Sequence, residues 1–313
     1  AVADFNLDRH LDLATANFGS STVSLHLGNG DGTFQPGIST SVGANPLAIQ
    51  AADLNGDNKP DLLTANYPDG SVSVLLGNGD GTLGRPTTIT TGAGASYVAV
   101  GFADGDSIPD LAIANHDANT VSIELGKGDG TFTRGNMLTA PQCTWAAFAN
   151  LGSGRLSDLA IATDATPQVT VFPSNSDGTY KAPLRFDVGL VPRSLAVADF
   201  NHDGLSDLAV AHYGDTSVGV LLGAQGTIFA AMRSFAAGAA PYTISLGDIN
   251  ADPDPTPMDF SAFYEVYLDG KWWAKINYTL SRNAGNTEGQ TLSDIGQADV
   301  ATTQAFDFPE FSA

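Results

Sequence analysis

Between Pro46 and Thr91 the chain alternates short apolar runs with polar punctuation. Leu47-Ala48-Ile49-Gln50-Ala51-Ala52 reads as a first strand and Leu62–Tyr67 as a second. Ser71–Leu76 is apolar at every other position, the pattern of a half-buried third strand. Pro68-Asp69-Gly70 marks a turn between the second and third strands. Gly77-Asn78-Gly79-Asp80-Gly81 marks a glycine-rich hairpin turn after the third, and a weaker fourth strand runs through Arg85–Thr90. No stretch shows helical periodicity.

This unit repeats. The third strand returns as Val23-Ser24-Leu25, Val121-Ser122-Ile123, Val169-Thr170-Val171 and Val218-Gly219-Val220. The hairpin turn returns at Gly28–Phe34 and Gly126–Phe132, and less faithfully at Ser174–Tyr180 and Gly223–Phe229. Between the first and second strands lies an acidic loop. Its copies begin at Asp4, Asp53, Phe102, Asn150 and Asp199, every 48–49 residues, and it starts again at Asp248. Four short strands at this period predict an all-β protein, a β-propeller of four-stranded blades with six or seven blades. Residues 1–252 are assigned to the repeats. Residues 253–313 form a divergent, β-rich tail that completes the ring or packs on it.

The glycine-rich turns are not phosphate loops: no Lys-Ser/Thr follows them, and each sits between two strands. Asp-Gly supplies the positive φ angles that such hairpins need.

The acidic loops suggest a hard cation. Calcium takes six to eight oxygens from carboxylates, carbonyls and water. Side chains at loop positions one, three, five and nine can supply them, with a backbone carbonyl at position seven. Three copies carry complete sets: Asp4, Asn6, Asp8 and Asp12; Asp53, Asn55, Asp57 and Asp61; Asp199, Asn201, Asp203 and Asp207. The third copy has Phe102 at position one but keeps Asp104, Asp106 and Asp110. The fourth has Gly152 and Gly154 in place of the inner ligands and keeps Asp158, so it is expected to bind nothing. The sixth departs into Pro253-Asp254-Pro255. Calcium is therefore the expected cofactor, holding the blades rather than reacting. The plainer alternative is a set of polar turns, which favour Asp and Asn anyway.

Composition narrows the partners. Of 313 residues 42% are hydrophobic, enough for a large core, and the net charge is −21 with only 13 Lys and Arg. That balance argues against nucleic acid and against an anionic membrane surface. No apolar run approaches the roughly 20 residues of a membrane span. The single cysteine, Cys143, allows no internal disulfide. The chain opens inside a repeat at Ala1, as a processed or truncated start would.

Together, D-F-N-x-D-x-x-x-D-L and the following G-N-G-D-G-T-F turn resemble the FG-GAP or VCBS-type repeat of integrin-like propellers, across roughly residues 1–252. The resemblance implies an extracellular or cell-surface domain with calcium in the loops between first and second strands. It also implies a protein or glycan ligand. Residues 258–273 resemble a strand–turn–strand piece of bacterial transglutaminase-like domains, with Ser261 where that family has a catalytic His. The plainer reading is a β-hairpin turning at Asp269-Gly270.

A polar-aromatic pair recurs where the second strand ends: Asn17-Phe18, Asn66-Tyr67, Asn115-His116 and His212-Tyr213, broken by Thr163-Asp164 in the fourth copy. A ring of such pairs is a candidate sugar-binding surface; alternatively the amides cap strand ends. The five histidines pair with no recurring base or nucleophile, so no acid–base constellation stands out. The expectation is a calcium-stabilised extracellular binding or adhesion module. The alternatives are a structural spacer and, less favoured, a propeller-type polysaccharide lyase or hydrolase.

Overall fold

The structure is a computed structural model that describes residues 1–151, 157–175, 177–201, 203–224, 228–246, 260–268 and 271–279. Among these residues every regular element is a β-strand. Twenty of the strands form five four-stranded antiparallel sheets, one per repeat. The second sheet is typical: Pro46–Ala52, Asp61–Asn66, Ser71–Leu75 and Thr87–Thr90 pair in sequence order. The strands fall where hydrophobic alternation places them, and the sheets are the blades of a β-propeller. One boundary differs from expectation. Asp61 opens the second strand rather than closing the loop before it, as do Asp12, Asp110, Asp158 and Asp207 in the other blades.

A blade is apolar on both faces, so each must be covered by a neighbour. The second strands show this directly: all six residues of Asp61–Asn66, Asp110–Asn115, Asp158–Thr163 and Asp207–His212 are buried. The core is accordingly a series of clusters, each drawn from consecutive blades. Leu63, Val72 and Val74 meet Val98, Leu111 and Ile113; Ile123 meets Cys143, Leu159 and Ile161; Val169 and Val171 meet Leu195, Leu208 and Val210. This nearest-neighbour burial is the energetic logic of repeat proteins. The stacked rings of Tyr97 and Trp145, 3.6 Å apart at their centroids, add to the contact between the third and fourth blades. Fourth strands lie outermost and are largely exposed, as in Thr87–Thr90.

After the fifth blade, Thr243–Leu246 pairs with Phe260–Leu268, which pairs with Lys271–Thr279. Leu268 faces Lys271 across the last antiparallel pair. Residues 269–270 themselves lie outside the described residues, as do the sixth acidic loop from Asp248 and positions 152–156 of the fourth.

Candidate functional site

The acidic loops and the Gly-Asp-Gly turns share one end of each blade. Position two of the loop is a plug: Phe5, Leu54, Ala103 and Leu151 are buried. Around that anchor the polar side chains turn back on the loop. In the first copy the Asp8 N–H lies 3.0 Å from Asp4 Oδ1 and 3.2 Å from Asn6 Oδ1, and the Arg9 N–H donates to Asp4 Oδ2 at 2.8 Å. The second and fifth copies repeat this. Asp57 N–H meets Asp53 and Asn55 at 3.2 and 3.1 Å, and Asp203 N–H meets Asp199 and Asn201 at 3.2 and 3.0 Å. Oxygens from positions one and three thus converge on the backbone of position five. The third copy keeps only the Asp104 contact to Asp106 N–H, at 3.2 Å, since Phe102 offers no oxygen. Leu7 and Arg9 hold the loop at φ 60° and 73°, a left-handed region costly for bulky residues.

Position nine does something else. Asp12 Oδ2 accepts the Phe5 N–H at 2.7 Å and Oδ1 accepts the Gly28 N–H at 2.8 Å. The same clamp joins Asp61 to Leu54 and Gly77, Asp110 to Ala103 and Gly126, and Asp207 to Phe200 and Gly223. In the fourth blade Asp158 holds Ser174. These buried carboxylates tie the loop to the hairpin turn within each blade, whatever else they bind.

Burial pushes the Asp61, Asp110 and Asp207 carboxyls above the usual aspartate range, and the like charges of their loop neighbours add to it: Asp57 and Asp53, Asp104 and Asp106, Asp203 and Asp199. The two backbone N–H groups oppose the rise without cancelling it. Each loop therefore holds carboxylates that repel one another. Asp8 and Asp57 have partial counter-charges in His10, 3.4 Å away, and Lys59, 3.3 Å away. The donor set is one of hard oxygens, which suits calcium in kind and number. As placed, no three His, Cys, Asp or Glu side chains among the described residues are arranged to hold a metal ion.

The turn aspartates are committed locally. Asp31, Asp80, Asp129 and Asp177 each accept both the N–H and the hydroxyl of the Thr two residues on. That is hairpin geometry, with Gly30 and Gly32 at φ 78° and 84°.

At the opposite end lie the polar-aromatic pairs, and their two members separate. Asn66 and Asn115 are buried, Asn17 is half-buried, and each donates to the third strand of its own blade: Asn17 to Thr22 and Ser24, Asn66 to Ser71 and Ser73, Asn115 to Thr120 and Ser122. These amides clip strands together. The residue that follows is pinned by its backbone: Tyr67, His116, Asp164 and Tyr213 donate N–H bonds of 2.8–3.0 Å to the carbonyls of Asn45, Gly94, Gln142 and Val191. Their side chains, with Phe18, reach solvent; Phe18 and Tyr213 are about half exposed.

His212 stands where the first three blades have Asn, beside Ser217 and Asp215. The trio is not a hydrolytic triad. Gly189 N–H donates to Nε2, so Nδ1 carries the imidazole hydrogen and donates to Ser217 Oγ at 2.9 Å, while Ser217 donates to Asp215 Oδ1 at 2.6 Å. A triad histidine must accept the serine proton. His212 is also fully buried, which holds its pKa below the usual value. Sequence reasoning missed the groups that meet His116 and Tyr213: Asp117, Asp164, Arg193 and Tyr242.

A family model described as FG-GAP-like repeat matches residues 4–64 and 53–104, and one described as FG-GAP repeat matches residues 191–228. No curated protein matches the chain. Solved structures share the fold. An Agrocybe aegerita lectin, described as recognising non-reducing terminal N-acetylglucosamine, is 16% identical, with a TM-score of 0.57 over 88% of this chain and 79% of the lectin. A Bacteroides uniformis protein named as a 6-phosphogluconolactonase is 14% identical, with a TM-score of 0.62 over 88% and 78%. BBS1N, solved in complex with ARL6DN, is 9% identical, with a TM-score of 0.59 over 88% and 78%. At these identities the likeness is one of architecture. By its matched segments and its five blades, the chain carries FG-GAP-type repeats on a β-propeller fold.

Proposed function

We propose that this propeller is a calcium-stabilised binding module that works outside the cell in adhesion or recognition, with a carbohydrate or protein ligand. The observation that carries the calcium part is the crowding of carboxylates in the loops that begin at Asp4, Asp53 and Asp199, each beside a buried aspartate. Asp4, Asn6 and Asp8, with their counterparts Asp53, Asn55, Asp57, Asp199, Asn201 and Asp203, would hold the ion. Asp104 and Asp106 would offer a weaker third-blade site. Bound calcium would supply positive charge beyond the partial counter-charges of His10 and Lys59.

The binding part rests on the opposite end, where aromatic side chains reach solvent on a rigid frame. That a solved structure of similar architecture is described as a lectin supports this reading. The buried His212 grouping has the wrong proton connectivity for hydrolysis, so a recognition role is preferred to an enzymatic one.

Thermal unfolding in calcium and in chelator tests the reading. A ligand that binds only the native state stabilises it by about 2.7 kcal/mol at one hundred times its Kd. The expected result is a rise of several degrees in calcium. No shift, with no calcium by elemental analysis, would remove the calcium claim.

A further inference from the structure

Repeat positions that only build the scaffold recur from blade to blade, so departures that meet in space mark places where the scaffold has been given another task. One such place joins the fourth, fifth and sixth repeats. At the second residue of the first strand, where the second blade has Leu47, the third and fourth blades have the small hydroxyls Ser96 and Thr144, which stitch blades together. Ser96 Oγ donates to Thr144 O at 3.2 Å, and Thr144 Oγ1 donates to Arg193 O at 3.1 Å. At the same register the next repeats carry Arg193 and then Tyr242. At the register of Tyr67, His116 and Tyr213, the fourth blade carries Asp164.

The departures form one cluster. Arg193 Nη1 lies 2.5 Å from Asp164 Oδ2, and Nη2 donates to Tyr242 Oη at 3.1 Å. The guanidinium carbon is 4.9 Å from the centre of the Tyr242 ring and 5.8 Å from that of Tyr213. The two rings meet edge to face at 5.9 Å. From the third blade, His116 Nε2 approaches Asp164 Oδ2 at 3.8 Å while Nδ1 is 2.8 Å from Asp117 Oδ1. Within this cluster Asp164 Oδ1 is buried with no hydrogen-bond partner. Such an atom asks for a donor that the protein does not supply.

We propose that this cluster is a binding site for a neutral, hydroxyl-rich saccharide. The proposal rests on the binding-module reading above and names its site and ligand class. Tyr213, 46% exposed, presents a ring on which the apolar face of a sugar can stack. A sugar hydroxyl both donates and accepts. It can give its hydrogen to the Asp164 carboxylate, whose side chain is 21% exposed, and accept from Arg193 or His116. Two carboxylates, Asp164 and Asp117, outweigh one guanidinium, and the whole chain carries −21. Acidic sugars and phosphates are therefore disfavoured. A protein partner fits less well. Protein interfaces bury about 800 Å² per side and are depleted in Asp and Glu, whereas this cluster carries both Asp164 and Asp117.

The test is a glycan array followed by titration calorimetry of the best neutral oligosaccharide, in saturating calcium. Tyr213→Ala and Arg193→Ala should each weaken binding about tenfold or more. Asp164→Asn, which keeps shape but replaces one acceptor with a donor, should do likewise. Ile38→Ala, on the outer strand of the first blade, should not. Melting curves of all variants identify any that fail to fold. Binding that survives both Tyr213→Ala and Arg193→Ala overturns the site but leaves the binding module standing. Binding of acidic glycans alone, of a protein partner alone, or of no glycan overturns the ligand class. The calcium-dependent unfolding above fails or succeeds independently of all three.

Discussion

Asp61 Oδ1 accepts the N–H of Gly77, sixteen residues away, at 2.8 Å, while its Oδ2 accepts the N–H of Leu54 at 2.9 Å. One buried carboxylate thereby joins the loop that precedes its strand to the turn beyond the next. Asp61→Ala would leave two buried N–H donors unpaired, each worth about 1–3 kcal/mol. We expect a loss of about 2–5 kcal/mol in denaturant unfolding, in calcium and in chelator alike. Asp158→Ala, in the blade whose loop has lost its inner acidic residues, should also destabilise. If Asp61→Ala cost nothing in chelator, the carboxylate would matter only as a metal ligand.

Gly77 itself is required by closeness. A Cβ there would stand 2.1 Å from the carbonyl oxygen of Pro60, and one at Gly28 or Gly126 would stand 2.2 or 2.3 Å from those of Leu11 or Pro109. Backbone is the obstacle, so no side-chain rotation relieves it. Gly77→Ala should cost at least the 1–3 kcal/mol typical of overpacking. Gly56→Ala, with nothing near its Cβ but φ at 74°, should cost less, about 1 kcal/mol. A melting temperature unchanged by Gly77→Ala would mean that the turn can move away from the strand.

Acid titration should show two opposing signs. Asp61, Asp110 and Asp207 have folded pKa values raised above the ordinary 3.8 by burial. Just above pH 3.8 the native state holds more of these protons than the unfolded state, so their contribution to stability falls as pH rises through that window. Asp31, Asp80, Asp129 and Asp177 are lowered, chiefly by the hydroxyl of the Thr each one binds. Their contribution is present above 3.8 and lost as pH falls through the folded value. In chelator, Asp207→Asn should remove part of the decline with rising pH, whatever it does to absolute stability. Calcium should reverse the sign of that part by favouring the ionised form. A stability-versus-pH slope identical in wild type and Asp207→Asn would refute the assignment.

The strands and their order were legible because alternation, turn residues and a fixed period all pointed one way, as in Leu62–Tyr67 between Asp61 and Pro68. The role of the ninth loop residue was harder to see. A carboxylate closing an Asp-x-Asn-x-Asp run reads as a ligand, and its bond to Gly77 depends on how the hairpin folds back. One clue was available: the fourth repeat keeps Asp158 while dropping the inner loop oxygens. Of the two readings of the Asn–aromatic pairs, strand capping by the amides was the one that strand geometry favoured. Period-two geometry puts Asn66 on the same face as Thr64, opposite Ser71 and diagonal to Ser73, which turns its amide into the blade. The cluster at Arg193 was invisible as a motif because its members come from four repeats. Its only sequence signal is that Asp164, Arg193 and Tyr242 break the repeat.

A last contrast separates hydrogen bonding from packing. Asn66 Oδ1 accepts the hydroxyl of Thr64 at 2.9 Å, and Asn17 Oδ1 that of Thr15 at 3.2 Å. In the third blade Ile113 holds the position of Thr64, and the buried Asn115 Oδ1 has no partner. Thr64→Ile should strand the Asn66 oxygen and cost about 1–3 kcal/mol. Ile113→Thr loses apolar burial worth about 1–2 kcal/mol but gives Asn115 a donor worth a similar amount. Its net change should therefore lie within about 1 kcal/mol of zero. Ile161→Thr supplies the comparison, because the residue two positions on is Thr163 rather than Asn. The new hydroxyl has no waiting amide oxygen, and the loss should reach about 2–4 kcal/mol. Denaturant melts of the three variants decide: if Ile113→Thr is as damaging as Ile161→Thr, the orphaned oxygen of Asn115 already has a water partner and gains nothing from the hydroxyl.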